Sequence, residues 1–202
     1  MKRPVIITAA AVGMLVFQGC GSLKVDSNTI SLQKNGRITE AIVEDFSQDY
    51  YDEEELRSYI DSQVDAFSAE DGRGQVKTSG YKVEDGKVHL NVRYEDADTY
   101  GAFNGVEIFC GTVVQAQAEG YKFDTDFVTV EDGKANGTAD TQTVLGDDEL
   151  KALIVRENTD IIVPGTIQYV SAEGTQVTAK DTVTMEKKSD TSVAPLVYVI
   201  YK

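Results

Sequence analysis

The last apolar run of the chain constrains its fold most strongly. Residues 195–201 read Pro-Leu-Val-Tyr-Val-Ile-Tyr and are apolar at both alternating sets of positions. A strand with this pattern has no face that it can turn to water. As an exposed sheet edge it would invite aggregation, so we expect it to be paired with other strands and covered on both faces.

Much of the preceding chain alternates apolar and polar residues, which is typical of half-buried strands. The segment Asn28–Gln33 is followed by Asn35-Gly36, a strong hairpin signal. The string Val-Glu-Asp-Gly-Lys marks two further hairpin turns, at 83–87 and 130–134. The residues that flank these two copies do not align. The copies therefore indicate the same turn sequence at two places and not an internal repeat.

One helix is well marked in the sequence. Asp52 is followed three residues later by Glu55, which is a capping-box pattern with Asp in place of Ser or Thr. Five apolar residues then recur at helical spacing: Leu56, Tyr59, Ile60, Val64 and Phe67. These signals predict an amphipathic helix over about 52–68.

Two short helices are predicted near 96–104 and 112–119, because a glycine follows each of them. Together with the strands they predict an α+β fold with mainly antiparallel strands. We expect one domain over 28–202, with a weak boundary near 139–146.

The first twenty residues predict the location of the protein. After the basic start Met1-Lys2-Arg3, residues 5–17 form a mostly apolar run. This run is too short for a membrane span, which needs about 20 residues. It ends in Gly19-Cys20, a small residue directly before a cysteine. The leader therefore resembles the lipobox of bacterial lipoproteins, in which the cysteine receives a diacylglyceryl group and a peptidase cuts before it.

The resemblance implies a signal peptide over 1–19, cleavage between Gly19 and Cys20, lipidation of Cys20 and a lipidated tether over 20–27. The protein would then lie at the extracytoplasmic face of the cell membrane and touch the membrane through its lipid only. Phe17 and Gln18 differ from the leucine and small residue that are usual in the family. The alternative is an ordinary signal peptide that is cut at a nearby small residue.

Three segments of the mature chain resemble uncharacterised lipoproteins of Gram-positive bacteria. They are Asp49-Tyr-Tyr-Asp52, Ala102-Phe-Asn-Gly105 and Glu157-Asn-Thr159. That group has no known activity, so the resemblance implies a location and no mechanism.

The chain is strongly acidic, with 34 Asp and Glu against 19 Lys and Arg and a net charge of −15. Loss of Lys2 and Arg3 with the leader lowers the mature charge to −17. The charge argues against nucleic acid as a partner, because phosphate binding draws on clustered Lys and Arg. The charge also predicts repulsion from an anionic membrane within about 8–10 Å. We therefore expect the domain to stand off the bilayer on a tether that reaches about 25 Å.

Candidate catalytic and metal-binding residues are few. The single histidine, His89, alternates with Val88 and Leu90, which predicts a solvated strand face and no catalytic triad. Cys110 lies in an apolar run, where burial raises the pKa of a thiol. One histidine and two cysteines exclude a zinc site with several His or Cys ligands. The acidic clusters do not follow the calcium-loop pattern, so we predict no catalytic residue, no metal and no cofactor.

Four aromatic residues form the candidate binding surface: Tyr50, Tyr51, Tyr100 and Phe103. The leading hypothesis is a lipid-anchored extracytoplasmic protein of the bacterial cell envelope. It would bind or scaffold a protein or small molecule without catalysing a reaction. The alternative is an envelope hydrolase that uses paired carboxylates, although no motif selects a pair among the 34 acidic residues.

Overall fold

A computed structural model describes residues 22–70, 74–186 and 194–202 of the chain. The leader, including Gly19 and Cys20, lies outside the described residues. The prediction of an α+β fold with mainly antiparallel strands is confirmed. In chain order the described elements are β1 (Thr29–Leu32), β2 (Ile38–Asp45), α1 (Glu53–Ser68), β3 (Val76–Glu84), β4 (Lys87–Tyr94), α2 (Ala97–Asn104), β5 (Ile108–Thr112), α3 (Val113–Ala118), β6 (Phe127–Glu131), β7 (Lys134–Ala139), α4 (Thr141–Leu145), β8 (Lys151–Val155), β9 (Asp160–Ile162), β10 (Ile167–Ser171), β11 (Thr175–Ala179), β12 (Thr182–Met185) and β13 (Val197–Tyr201).

The strands form two sheets. Sheet A has seven strands in the order β11-β12-β9-β1-β2-β4-β3, and sheet B has six in the order β5-β8-β13-β10-β6-β7. Among the described strands every neighbouring pair is antiparallel except β1 and β9, which run in parallel. Strands from both sides of residues 139–146 pair within each sheet, so the chain does not divide there.

Strand β13 lies between β8 and β10 in sheet B, and all five of its residues are buried. Val197, Val199 and Tyr201 enter an inner core between the two sheets. Tyr198 and Ile200 enter an outer core between sheet B and the helices α3 and α4. The expectation of a paired strand that is covered on both faces is confirmed.

The two sheets meet closely at one side and diverge at the other. At the close side, the Ile167 N–H of β10 donates to the Lys180 carbonyl in the turn between β11 and β12 (2.8 Å). At the other side, α2 contacts both β4 of sheet A and β5 of sheet B, and α1 packs on β3. The helices therefore fill the wedge where the inner core would otherwise be open to water.

Helix α1 begins after Asp52, whose carboxylate accepts the Glu55 N–H at 2.9 Å. It contacts the inner core through Val64, which is buried, and through the half-buried Ile60 and Phe67. Tyr59 was predicted on the same apolar face, but it is 61% exposed. The apolar stripe that faces the core is therefore narrower than the sequence pattern predicts. Within the described residues, no helix combines the length and the apolar character that a membrane span requires.

Residues 22–27 lie across the outer face of sheet A. The Leu23 N–H donates to Asn91 Oδ1 on β4 (2.7 Å), and the Ser27 hydroxyl donates to Asp160 Oδ2 on β9 (2.6 Å). Strands β2 and β1 lie between β4 and β9, so the two bonds are about 14 Å apart. Four residues of extended chain cover about this distance.

The segment follows one row of residues across the sheet. The strand registers place five residues in this row, in order from β3 to β9: Gly80, Asn91, Ala41, Thr29 and Asp160. A Cβ on Gly80 would lie 3.2 Å from Ser22 Cβ, and the other four residues are buried beneath the segment. Residues 22–27, which the sequence assigns to a free tether, are therefore part of the domain's packing.

Both copies of the Val-Glu-Asp-Gly-Lys string form the same turn. The φ angles are 52° and 71° at Asp85 and Gly86, and 51° and 73° at Asp132 and Gly133. Two successive residues at positive φ are the feature of the type I′ hairpin turn, which matches strand twist. A Cβ on Gly133 would lie 2.6 Å from the Lys180 nitrogen, so this turn also packs against sheet A.

The substitution Gly133→Ala should lower the free energy of unfolding more than Gly36→Ala does. Both glycines have positive φ (73° and 83°), where alanine costs about 1 kcal/mol. Only Gly133 has main-chain atoms close to the new Cβ, since nothing lies within 4 Å of a Cβ on Gly36. We expect losses of about 3 and about 1 kcal/mol in urea unfolding. Equal losses would contradict the contact between the two turns.

Candidate functional site

A carboxyl group lies inside the inner core. Glu40 of β2 is on the same face as Ile38 and Ile42, which contact the inner core, and its partner on β4 is the buried Val92. The side chain is only 8% exposed. Burial raises the pKa of the Glu40 carboxyl above its usual value, although a hydrogen bond from Tyr94 acts in the opposite direction.

Two tyrosines join Glu40 to a second carboxyl group, Glu157. The Tyr94 hydroxyl donates to Glu40 Oε2 (2.5 Å), and the Tyr100 hydroxyl donates to Glu157 Oε2 (2.5 Å). The Tyr100 hydroxyl also lies 3.5 Å from Glu40 Oε1. Asn104 Nδ2 donates to the Tyr94 oxygen (3.3 Å). Burial raises the pKa of Glu157 too, so both carboxyls hold a proton more readily than exposed ones.

The chain brings these groups together through the turn from β4 into α2. Tyr94 ends β4, and the Asp96 carboxylate then caps α2 by accepting the Thr99 N–H (2.8 Å). Tyr100 and Asn104 are one helical turn apart and so lie on the same side of α2. The rings of Tyr94 and Tyr100 meet edge to face, with centroids 4.9 Å apart.

The hydrogen bonds form an unbroken chain when Glu40 is protonated. Asn104 then donates to Tyr94, Tyr94 to Glu40, Glu40 to Tyr100 and Tyr100 to Glu157. Burial and the two carboxyls raise the pKa of both phenols, which therefore stay protonated. Burial raises the pKa of Glu157 as well, although Glu157 is the less buried of the two acids.

This arrangement separates the two carboxyls by a protein side chain. A carboxylate pair that cleaves a glycosidic bond must flank the bond. Here the Tyr100 hydroxyl bridges Glu40 and Glu157, so a substrate could enter between them only by displacing Tyr100. The hydrogen bonds of the network therefore connect sheet A, α2 and the loop that follows β8.

The four predicted surface aromatics do not form one surface. Tyr50 and Tyr51 are 73% and 44% exposed, and Tyr51 stacks on Phe46 with centroids 5.0 Å apart. Tyr100 is completely buried, so it cannot contribute to an exposed surface. Phe103 is half-buried and packs its ring against Phe67 and Tyr94. The prediction of a binding surface that includes Tyr100 is therefore wrong.

Cys110 and His89 are on different sheets. Cys110 lies on β5 and faces the inner core, where burial raises the pKa of its thiol to about 12. His89 lies on β4 and faces outward, beside Lys82 of β3. The two therefore do not form a nucleophile and base. Within the described ranges no three His, Cys, Asp or Glu side chains come together in a way that could hold a metal ion.

A groove of about 560 Å³ opens where the inner core reaches the surface. Its volume is in the range of small-molecule sites. Four of its residues are apolar or aromatic and three are cationic: Leu32, Cys110, Pro164, Tyr201, Lys34, Lys151 and Lys202. No acidic side chain of the described residues lines it.

The three lysines of this groove differ in whether they form ion pairs. Lys202 pairs with Asp147 (2.8 Å) and Glu149 (3.5 Å) on the adjacent surface. Within the described part of the chain, Lys34 and Lys151 form no ion pair. Lys151 lies on the same side of β8 as Leu153 and Val155, which face the inner core. The groove therefore combines an apolar floor with two available ammonium groups, which suits an organic anion.

Sequence analysis did not identify Glu40, Glu157 or Lys151 as candidate site residues. Glu40 nevertheless has a signal, since it stands between Ile38 and Ile42 in the apolar set of positions of β2. Lys151 is the exposed first residue of β8, where both sets of positions are apolar, and has no such signal. Glu157 lies in a loop, where no periodicity could indicate burial. Comparison with protein-family models, with curated proteins and with solved structures finds no match to this chain.

The substitution Glu40→Gln should make stability less dependent on pH. The folded chain holds the Glu40 proton more tightly than the unfolded chain does, so wild type loses stability as pH rises through the raised pKa. Gln mimics the protonated acid and lacks this loss. Near pH 5 we expect the two free energies of unfolding to agree within about 1.5 kcal/mol.

Urea unfolding between about pH 5 and about pH 8 tests this expectation. The free energy of unfolding of Glu40→Gln should increase relative to that of wild type as pH rises. Glu186→Gln, at an exposed position, is the matched control and should follow wild type. A constant difference across this range would contradict a raised Glu40 pKa.

Proposed function

We propose that the chain is a lipid-anchored protein at the extracytoplasmic face of a bacterial cell membrane and that it acts by binding. The leader that ends in Gly19-Cys20 supports the anchor. The Leu23 N–H donates to Asn91 Oδ1, so the chain is held on the domain only three residues after the proposed lipidation site. Three residues span about 10 Å, so the lipid and the domain lie close together.

The groove at Lys151 carries the binding role. It is open, it has an apolar floor, and it offers ammonium groups that no carboxylate of the described residues neutralises at Lys34 and Lys151. These features select a small organic anion with an apolar part, such as a carboxylate or a phosphate monoester. The amphipathic anion would place its charge at the lysines and its apolar part against Leu32 and Tyr201.

The alternative function, an envelope hydrolase with paired carboxylates, has one structural candidate in Glu40 and Glu157. Their raised pKa values favour it, since catalytic acids often have this property. The position of Tyr100 between the two carboxyls favours binding instead. Neither acid lines the groove at Lys151, so the two candidate functions use different residues.

The substitution Cys20→Ala should release the protein from the membrane. Partition of the full chain between a detergent-rich and an aqueous phase measures this, and wild type should enter the detergent phase while Cys20→Ala stays in the aqueous phase. Two acyl chains, at about 0.8 kcal/mol per buried methylene, make the difference close to complete. Cys110→Ala, which removes the other cysteine, is the control and should behave as wild type. Equal partition of wild type and Cys20→Ala would contradict the anchor.

The substitution Lys151→Gln should weaken the binding of an aromatic anion about fivefold, because one charge-assisted hydrogen bond is lost in a partly exposed site. The probe is anilinonaphthalene sulfonate, titrated by fluorescence into full chain that carries Cys20→Ala, in buffer without detergent. Lys134→Gln removes an equal charge outside the groove and should have no effect. Decanoate should displace the probe and decanol should not. Equal displacement by both, or an unchanged affinity of Lys151→Gln, would refute an anion site.

A further inference from the structure

Two cations face each other on the outer face of sheet A. Lys77 on β3 is the register partner of Arg93 on β4. Their neighbours Val76 and Tyr94 contact the inner core, so Lys77 and Arg93 point to the opposite side. Like charges that lie directly opposite on two strands destabilise a sheet. The chain has 34 acidic residues, yet none of the described ones forms an ion pair with Lys77 or Arg93. An anion from outside the domain would therefore relieve the repulsion between the two cations.

The pair is part of a larger basic area on the same face. Lys82 and His89 form the next outward-facing pair of β3 and β4 beyond Gly80 and Asn91. Lys82 is neutralised by Glu84, at 2.5 Å. Within the described residues Lys77 and Arg93 form no ion pair, so their charges are available. We call the outward face of Lys77, Lys82, His89 and Arg93 the basic face.

The acidic residues of α1 lie on the other side of the sheet. Helix α1 packs on β3 through inner-core residues such as Ile60 and Val64. Its first turn, with Glu53, Glu54 and Glu55, is therefore separated from the basic face by sheet A. Among the described residues, three acids lie near the basic face. Glu84 is paired with Lys82, Glu95 accepts the Gln75 N–H (2.9 Å), and Asp45 is the register partner of Lys87 at the far end of β4.

The chain leaves the domain between these cations. The row that residues 22–27 follow ends at Gly80 on β3, with Lys77 on one side of it and Lys82 on the other. In the sequence Cys20 comes two residues before Ser22, and two residues of chain span at most about 7 Å. A lipid on Cys20 would therefore enter the bilayer beside the basic face.

We propose that the basic face docks on the anionic surface of the membrane that holds the lipid anchor. This inference rests on the anchor proposed above and deepens it by fixing the orientation of the domain. It replaces the expectation from net charge, because screening within about 8–10 Å lets the nearest charges decide the interaction. Each Lys or Arg near such a surface contributes a favourable interaction with anionic lipid headgroups.

Lysines on an edge strand have another established use, since they hinder pairing between the edges of two molecules. That use accounts for Lys77 and Lys82 on the edge strand β3. It does not account for Arg93 and His89, which lie on β4 and have strands on both sides. The pairing of Lys77 with Arg93 therefore favours a membrane surface.

The test measures which part of the anchored domain approaches the lipid headgroups. The full lipidated chain is labelled with a fluorophore at Gln75→Cys, which is exposed next to the basic face, or at Lys134→Cys, which is exposed on β7. Each protein is added to vesicles of phosphatidylcholine alone or with about one third phosphatidylglycerol. Both vesicles contain lipid with a headgroup nitroxide, which quenches nearby fluorophores.

We expect stronger quenching at residue 75 than at residue 134, and only in the anionic vesicles. The double substitution Lys77→Gln with Arg93→Gln should reduce the ratio of docked to undocked protein about 25-fold, at about fivefold for each charge. Lys134→Gln with Lys180→Gln removes two charges elsewhere and should change nothing when the label is at residue 75. The basic-face variant should also be at least as stable as wild type in urea, because the repulsion is removed.

Equal quenching at the two positions, or quenching at residue 75 that is unaffected by the basic-face substitutions, would overturn the inference and leave the anchor intact. Failure of the labelled wild-type chain to associate with either vesicle would overturn the anchor and the inference together. High salt should weaken docking of the basic face and leave insertion of the lipid unchanged. The electrostatic contribution and the lipid contribution to membrane association can therefore be measured in the same sample.

Discussion

Strand β13 lies at the centre of sheet B and sends alternate side chains into two different cores. Because neither face of the strand can meet water, sheet B needs a cover on each side. Sheet A supplies one cover, and α3 and α4 supply the other. The other main features follow from this layered arrangement, including the wedge between the sheets that α1 and α2 have to fill.

The wedge accounts for the buried carboxyl network. Sheets A and B diverge towards β3 and β5, and α2 is inserted between them with Tyr100 pointing inward. A helix that contacts two sheets at once needs a fixed orientation. The hydrogen bond from Tyr100 to Glu157 and the contact between Tyr100 and Glu40 can provide it. Placing Glu40 in this core carries a desolvation penalty, which protonation and the bond from Tyr94 reduce.

The sequence predicts those parts of the fold that depend on neighbouring residues. The turns at Asp85–Gly86 and Asp132–Gly133 need positive φ, and Asp-Gly supplies it locally. The final apolar strand was predictable for the same reason, since its own pattern excludes water from both faces. The grouping of strands was not predictable, because β1 pairs with β9, which lies about 130 residues later, in a contact that no local signal encodes.

The candidate site was harder to predict than the fold. Glu40 interrupts the apolar positions of β2, and this pattern could have marked it, whereas Lys151 has no such signal. Tyr100 was predicted at a binding surface because its segment is flanked by glycines, yet its ring is completely buried. The row beneath residues 22–27 gave no signal either, because Asn91, Ala41 and Thr29 read as polar or small residues of an outer face. Their burial depends on a segment that the sequence suggests is free.

If the leader is cleaved before Cys20, as proposed, the path of residues 22–27 limits the time available for that cleavage. A peptidase that cuts before Cys20 needs extended, accessible chain on both sides of the bond. Ser22 and Leu23 provide such chain only until they are held on sheet A. The far end of the segment is held by Asp160, which lies 133 residues after Ser27. If the chain is exported, most of it would have to emerge before Ser27 can bind Asp160, so the proposed cleavage site would stay accessible during translocation.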